Sequence, residues 1–237
     1  HFVELQRDDV GGLWVMLHSG SRAMGQLIRD HHLKTNAALE QGGLVALLVE
    51  SDAGQRYLGD MAWALAYADA NRQALLDATL QVLGEVLGAR PVEGTRRSCH
   101  HNHVRREVHA GRELWVHRKG AMPAGEGEQG VIPGSMGDES FHVTGRGCDE
   151  ALCSSSHGAG RKLSRTEARA QISVRELHRQ LEGVWFDHRL SDALRDEAPG
   201  AYKDITSVMN LGIVLGAAPV GDHTTSCTLV SHPSRST

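Results

Sequence analysis

The sequence is short of aromatic residues, with three Phe, three Tyr and four Trp in 237 positions. So few flat rings disfavour a base-stacking platform of the kind that coats single-stranded nucleic acid. Long apolar runs are missing too. The longest weakly polar stretch, Leu211 to Val220, is about half the roughly 20 residues a membrane span needs, so no membrane partner is expected. No one sign of charge dominates. Lys and Arg total 25 against 29 Asp and Glu, a net of −4, which excludes bulk positive charge as a way of holding a polyanion but leaves room for a local basic cleft. Cysteine is sparse: Cys99, Cys148, Cys153 and Cys227 form no CxxC pair and no secreted-domain spacing. That pattern points to a reducing, intracellular compartment, and the cytoplasm is the expected location. No signal-peptide pattern opens the chain, which starts with His1 and not Met and reads as incomplete.

What the sequence does have is histidine, 15 residues of it, and histidine is both the commonest metal ligand and the side chain that titrates near neutrality. Its hydrophobic and charged fractions, 40% and 23%, are those of an ordinary globular domain. Phe2 to Leu5 and Leu13 to Leu17 read as strands joined by the turn Asp8-Asp9-Val10-Gly11-Gly12. After Ser19-Gly20-Ser21-Arg22 comes a polar helical run. A longer helix is predicted from Asp60, which is placed as its N-cap, with Met61, Leu65, Ala68, Leu75, Leu76, Leu83 and Leu87 along one face. Between about residues 90 and 150, strands alternate with glycine-rich turns, as at residues 113–117, 130–133 and 140–143. Ser164 and Glu167 have the spacing of a capping box, so another helix starts there. Strands flanked by helices predict an α+β fold, as one domain over residues 1–210. From 211 to 237 only Asp222 and Arg235 are charged and Ser and Thr dominate, which marks a divergent tail, either disordered or out of frame.

Several segments could carry chemistry. In Ser156-His157-Gly158-Ala159-Gly160-Arg161, small residues surround one imidazole just ahead of a helix, the pattern of a phosphate cradle. A strand-to-helix turn whose histidine bonds the backbone is the plain alternative. Cys99-His100-His101-Asn102-His103 alternates imidazoles as a metal-binding strand would; taken singly, His100 and His103 read as exposed strand residues. Leu17-His18-Ser19-Gly20-Ser21-Arg22 sets a histidine at a strand end before a small-residue turn and an arginine, which suits a metal-bound phosphate. Ile132-Pro133-Gly134-Ser135-Met136-Gly137 is a tight loop offering amides and a hydroxyl. Residues 90–170 hold 13 basic and 10 acidic residues, a modest excess of positive charge that suits a polyanion.

As an ordered set these segments resemble the RtcB-type RNA ligases. The resemblance covers His1-Phe2-Val3-Glu4-Leu5, the His18–Arg22 loop, Tyr57, Asp60-Met61, Tyr67-Ala68 and Asn71-Arg72, Cys99–Asn102, His117–Ala121, Ile132–Gly137, Ser156–Arg161 and Ala201-Tyr202-Lys203-Asp204, to about Asn210. It implies a ligase that uses GTP and two Mn²⁺ ions to join an RNA 3′-phosphate or 2′,3′-cyclic phosphate to a 5′-hydroxyl, in tRNA splicing or RNA repair. By motif position, His157 is the nucleophile that takes GMP from GTP, and His1, His18 and His101 are metal ligands. Phe2, Val3, Glu4, His101, Asn102, Pro133, Gly134, Ser135, Met136, Ser140, His157, Gly158, Ala159, Gly160 and Tyr202 line the guanylate pocket. Arg22 and Arg161 contact RNA phosphates. A carboxylate such as Glu4 can accept the paired N–H donors of a guanine edge, a reason for GTP over ATP. The use of an archease-type activator stays open.

Parts of the family pattern have no counterpart here: an upstream Asp and Cys in a DVGCG-like motif, an Asn ahead of His1, and a charged ending that closes in Lys-Gly. Cys99 is not that cysteine, because it lies within the His-His-Asn motif. A remnant that binds nucleotide or RNA without ligating is therefore the alternative. Exposed apolar surface is expected for such a piece.

Overall fold

The computed structural model describes residues 1–215 and 217–226. β1 (Phe2–Asp8) and β2 (Leu13–His18) form the expected hairpin. Asp8 closes it: its amide donates to Gly12 O, while its carboxylate accepts the amides of Val10 and Gly12 and the indole N–H of Trp14. Next come α1 (Ala23–Thr35), the two-residue strands β3 (Glu40–Gln41) and β4 (Leu44–Val45), and α2 (Asp52–Leu87). The strand-rich middle holds β5 (Asn102–His109), β6 (Arg112–Lys119), β7 (Ala121–Pro123), β8 (Gln129–Pro133), β9 (Ser140–Gly145) and β10 (Ser154–Ser156). α3 (Arg165–Gln171), α4 (Val174–Gln180), α5 (Ile205–Leu215) and β11 (Ala217–Ser226) complete the described chain, an α+β fold. The chain divides into two compact units, residues 1–16 with 92–237, and Leu17–Pro91. Residues 227–237 of the proposed tail, and Cys227 with them, lie outside the described residues.

In the unit Leu17–Pro91, α2 starts eight residues before the predicted Asp60. Its cap is Ser51, whose hydroxyl accepts the Gly54 amide at 3.1 Å. Gly54 disguises that first turn in the sequence. A Cβ there would sit 2.1 Å from Leu48 O, so the preceding loop packs directly on the helix backbone. Asp60, inside the helix, instead pairs with Nε2 of the buried His32 on α1 at 2.7 Å. Only Gly54, Ala68 and Leu83 of α2 are buried. Trp63 and Tyr67 stack on each other but remain exposed, and so do Leu75 and Leu87 of the predicted apolar face. Among the described residues no helix is long and apolar enough to cross a membrane.

In the other unit, five strands form a sheet in the order β2-β1-β11-β9-β8, and the pairs β1–β11, β11–β9 and β9–β8 are antiparallel. β5 pairs with β6, and β7 with β10, as separate antiparallel ribbons. Two apolar clusters hold these pieces. Met122, Ile132, Val143 and Ala159 pack with Ile205 and Met209 of α5. Ala168 of α3 and Leu177 of α4 pack with Met136, Phe186, Leu194 and Ala198 in the second. Tyr202 borders both clusters. The capping box of α3 forms as predicted, with Ser164 Oγ accepting the Glu167 amide and the Glu167 carboxylate accepting the Ser164 amide.

Phe186 is 2% exposed and its neighbour Trp185 is 55% exposed, so the two aromatics test the core directly. Phe186→Ala is expected to cost about 3–5 kcal/mol through lost burial and a residual cavity, and Trp185→Ala no more than about 1 kcal/mol. Urea denaturation of the two variants measures the difference.

Candidate active site

The site grows out of strand register. In the β5–β6 ribbon the last rung is Asn102 opposite Lys119, so the next places His101 opposite Gly120. In the β7–β10 ribbon the last rung is Ala121 opposite Ser156, so the next places His157 opposite the same Gly120. Gly120 joins both ladders. Its N–H donates to His101 O at 2.7 Å and to Asn102 Oδ1 at 3.2 Å, and its carbonyl accepts from the His157 ring. The two imidazoles are thereby stacked, centroids 4.8 Å apart and planes 24° apart. Gly120 has φ +68°, and a Cβ there would lie 3.3 Å from His157 Cε1, so both conformation and space call for glycine.

His157 is half-buried, and that burial lowers its pKa below the ordinary imidazole value; the Gly120 hydrogen bond opposes the shift without cancelling it. Neutral imidazole is therefore the form present at neutral pH, as a nitrogen nucleophile requires. The loop that follows His157 is anchored by the Ala159 amide, which donates to Pro133 O at 3.0 Å.

The loop after β8 spends its own donors. Gly134 N–H goes to Glu139 O, and the Ser135 amide and hydroxyl both go to the Asp138 carboxylate. Met136 turns into the apolar core. The N-terminus of α3, expected to help cradle phosphate, is filled by its own capping box. What remains for an anion is the small-residue backbone around His157.

On β1, Phe2 and Val3 are half-buried and Glu4 is 7% exposed. Gln6, two residues on and so on the same strand face, donates to Glu4 at 3.1 Å and to the buried Ser140 hydroxyl at 3.0 Å. Burial pushes the Glu4 carboxyl up to about 7, against the pull of the Gln6 hydrogen bond. Gln6 was not foreseen as a site residue; the alternation Glu4-Leu5-Gln6 on a strand was the available signal.

Arg161 lies in a closed network. Its Nε donates to Leu163 O, Nη1 to the Tyr202 hydroxyl and Glu197, and Nη2 to Asp196 O, with the guanidinium 4.9 Å from the Tyr202 ring centroid. Tyr202 in turn donates to Glu197, and burial first, then the Glu197 charge, raise its pKa and keep it protonated. An RNA phosphate would have to compete with these partners. Three more arginines of the middle region are similarly engaged: Arg105 with Glu128, Arg106 with Glu113, and the buried Arg118 with Glu107.

His1 is exposed ahead of β1. His18 and Arg22 belong to the unit Leu17–Pro91, where Asn71 Nδ2 donates to Ser19 Oγ and Gly20 O and Arg72 to Ser19 O, pinning the loop between β2 and α1. Arg22 is exposed at φ +57°, in the left-handed region that a non-glycine residue occupies at a cost. His103 is buried, not on an exposed face as its strand pattern alone suggests. Among the described residues, one trio of metal-capable side chains converges, and it is an unexpected one: His109, Asp149 and Cys153.

Comparison with known proteins gives a consistent result. Residues 1–216 match the family described as tRNA-splicing ligase RtcB. The chain is 38% identical over 222 residues to RNA-splicing ligase RtcB1 of Escherichia coli, covering 88% of this chain and 54% of that protein. It is 32% identical over 259 residues to RNA-splicing ligase RtcB of Mycobacterium bovis, covering 92% of this chain and 60% of that one. The chain thus spans little more than half the length of the curated relatives it matches.

Glu4 supplies a test of this geometry. A carboxyl whose pKa rises from 4.5 to about 7 on folding resists ionisation, so it costs nothing where both states are protonated, and the cost accrues as pH rises through that window. Glu4→Gln should match the parent near pH 4.5 and exceed it by on the order of 2–4 kcal/mol above about pH 7. Denaturant titrations at the two pH values check this; equal stability at both would contradict the raised pKa of the buried carboxyl.

Proposed function

Because the chain belongs to the RtcB family of tRNA-splicing ligases, we propose that it carries the guanylate-transfer centre of an RNA ligase, with His157 as the covalent acceptor. The observation that carries this reading is the His157 ring itself: neutral through burial, tied to the Gly120 carbonyl, and stacked on His101. With one ring nitrogen donating to that carbonyl, the other keeps its lone pair for attack.

The proposed reaction is a relay of one guanylate. The free His157 nitrogen attacks the α-phosphorus of GTP, the bond to the bridging oxygen breaks, and pyrophosphate leaves. GMP then passes from His157 to an oxygen of an RNA 3′-phosphate, a 2′,3′-cyclic phosphate having first been opened by water. The 5′-hydroxyl of a second RNA end attacks that activated phosphorus, loses its proton, and displaces GMP. His157 is left neutral and ready for another cycle.

The residues suit these steps. Glu4, when ionised, can accept the paired N–H donors of a guanine edge, and Gln6, which also donates to Ser140, holds it in place. At Gly160, where a Cβ would meet nothing within 4 Å, the loop leaves open space for a phosphate. Of the three imidazoles expected to hold manganese, His1 and His101 belong to the same unit as His157. Half-buried against His157, His101 offers an imidazole donor for a divalent ion, and such an ion would offset charge on the phosphates. We place this activity in the cytoplasm on the cysteine pattern.

Incubation with GTP and Mn²⁺ followed by peptide mass spectrometry tests the assignment. The expected outcome is a GMP adduct on His157, absent in His157→Ala and labile in acid as a phosphoramidate is. An adduct on another side chain, an adduct retained in the alanine variant, or none at all would overturn it.

A further inference from the structure

We propose that His109, Asp149 and Cys153 form a second metal site, which takes a thiolate-preferring divalent ion such as zinc and staples the tip of the β5–β6 hairpin to the loop ahead of β10. None of the three belongs to the His157 centre. The histidine lies 40 positions before the aspartate, and the cysteine follows the aspartate by four.

Donor spacing is the first argument. His109 Nδ1 lies 3.3 Å from Asp149 Oδ1, the Cys153 sulfur lies 3.8 Å from the same oxygen, and all three donor atoms fall within 4.8 Å of one another. A tetrahedral ion at about 2.0–2.3 Å from N, O and S ligands sets its ligands about 3.3–3.8 Å apart. The His109–Asp149 and Asp149–Cys153 donor pairs already stand at such separations.

The support behind the histidine is the second argument. His109 Nε2 lies 2.9 Å from the Glu107 carboxylate, which Arg118 grips through two hydrogen bonds of 2.6 and 2.9 Å. Gripped in this way by a buried guanidinium, the Glu107 carboxylate is fixed as an acceptor facing the imidazole. With a proton on Nε2 donated to Glu107, the Nδ1 lone pair faces Asp149 and Cys153. A carboxylate behind a ligating imidazole is the usual arrangement that orients it toward a metal. In that tautomer the lone pair faces a carboxylate oxygen at 3.3 Å, a repulsion that a cation between them would relieve.

The loop that presents the thiol is held on purpose-built terms. Leu152 and Cys153 both have positive φ, +48° and +44°, although neither is glycine. Arg118 Nη2 bonds both of their carbonyls, at 2.9 and 3.3 Å, and the Cys153 amide donates to Cys148 O. One buried guanidinium thus fixes the histidine's carboxylate and the cysteine's backbone together. Charge also closes. Thiolate and carboxylate carry two negative charges, the imidazole none, and a divalent ion balances them while the thiol proton goes to solvent. A sulfur and a nitrogen among the donors select zinc-like ions over manganese.

Cobalt serves as the spectroscopic probe. Titrating Co²⁺ into metal-free protein should give a saturable thiolate-to-cobalt charge-transfer absorption at one equivalent, displaced by Zn²⁺. Cys153→Ser should abolish that band while leaving the circular dichroism unchanged. Glu107→Gln should keep the band but weaken Co²⁺ affinity about 10–100-fold. Cys99→Ser, beside His101 and the guanylate centre, should leave both band and affinity intact. A folded protein with no charge-transfer band, a band that survives in Cys153→Ser, or one that vanishes in Cys99→Ser would overturn the proposal. The first of these results would assign the cation between His109 and Asp149 to a proton.

Discussion

The backbone of Gly120 carries hydrogen bonds in two directions, and the candidate centre depends on them. Its N–H fixes His101 at the entry to β5, and its carbonyl fixes the ring of His157. Two ribbons that share no other rung are registered through one peptide unit. A side chain at this position would press on the ring it serves. The chemistry follows from placement: an imidazole that is half-buried, neutral and oriented through one nitrogen has its other nitrogen free to react.

Around that unit the charges are arranged in pairs. Arg118 with Glu107 and Arg161 with Glu197 and Tyr202 are internal struts, and neither is a free contact for a polyanion. The local excess of basic residues is therefore a poor guide to the surface, since most of the arginines in the middle region are engaged by carboxylates of the same unit. Arg118 does the most. It keeps Glu107 ionised, holds the turn at Cys153, and so prepares the second cluster without touching the first.

Much of this organisation was legible in the sequence. The β1–β2 hairpin, the strands at residues 113–117, 130–133 and 140–143, and the Ser164–Glu167 capping box all follow local rules, and all formed where local rules put them. The start of α2 did not, because Gly54 weakens the local helical signal and only the loop packed on it shows why glycine is needed. The burial of His103 and the closed network of Arg161 rest on partners remote in sequence. So does the cluster of His109, Asp149 and Cys153, whose members carry no common motif. The motif residues His101 and His157 could be named from their neighbours, but their meeting at Gly120 required two strand registers that no local pattern records.

The central claim is that burial keeps His157 neutral while the Gly120 carbonyl holds it in one tautomer, and NMR of the imidazole nitrogens across the pH range tests it most directly. The account predicts a single proton-bearing nitrogen, held in place by the carbonyl, and a titration midpoint below the ordinary value of 6.5. Two tautomers in exchange, with a midpoint at or above that value, would contradict it.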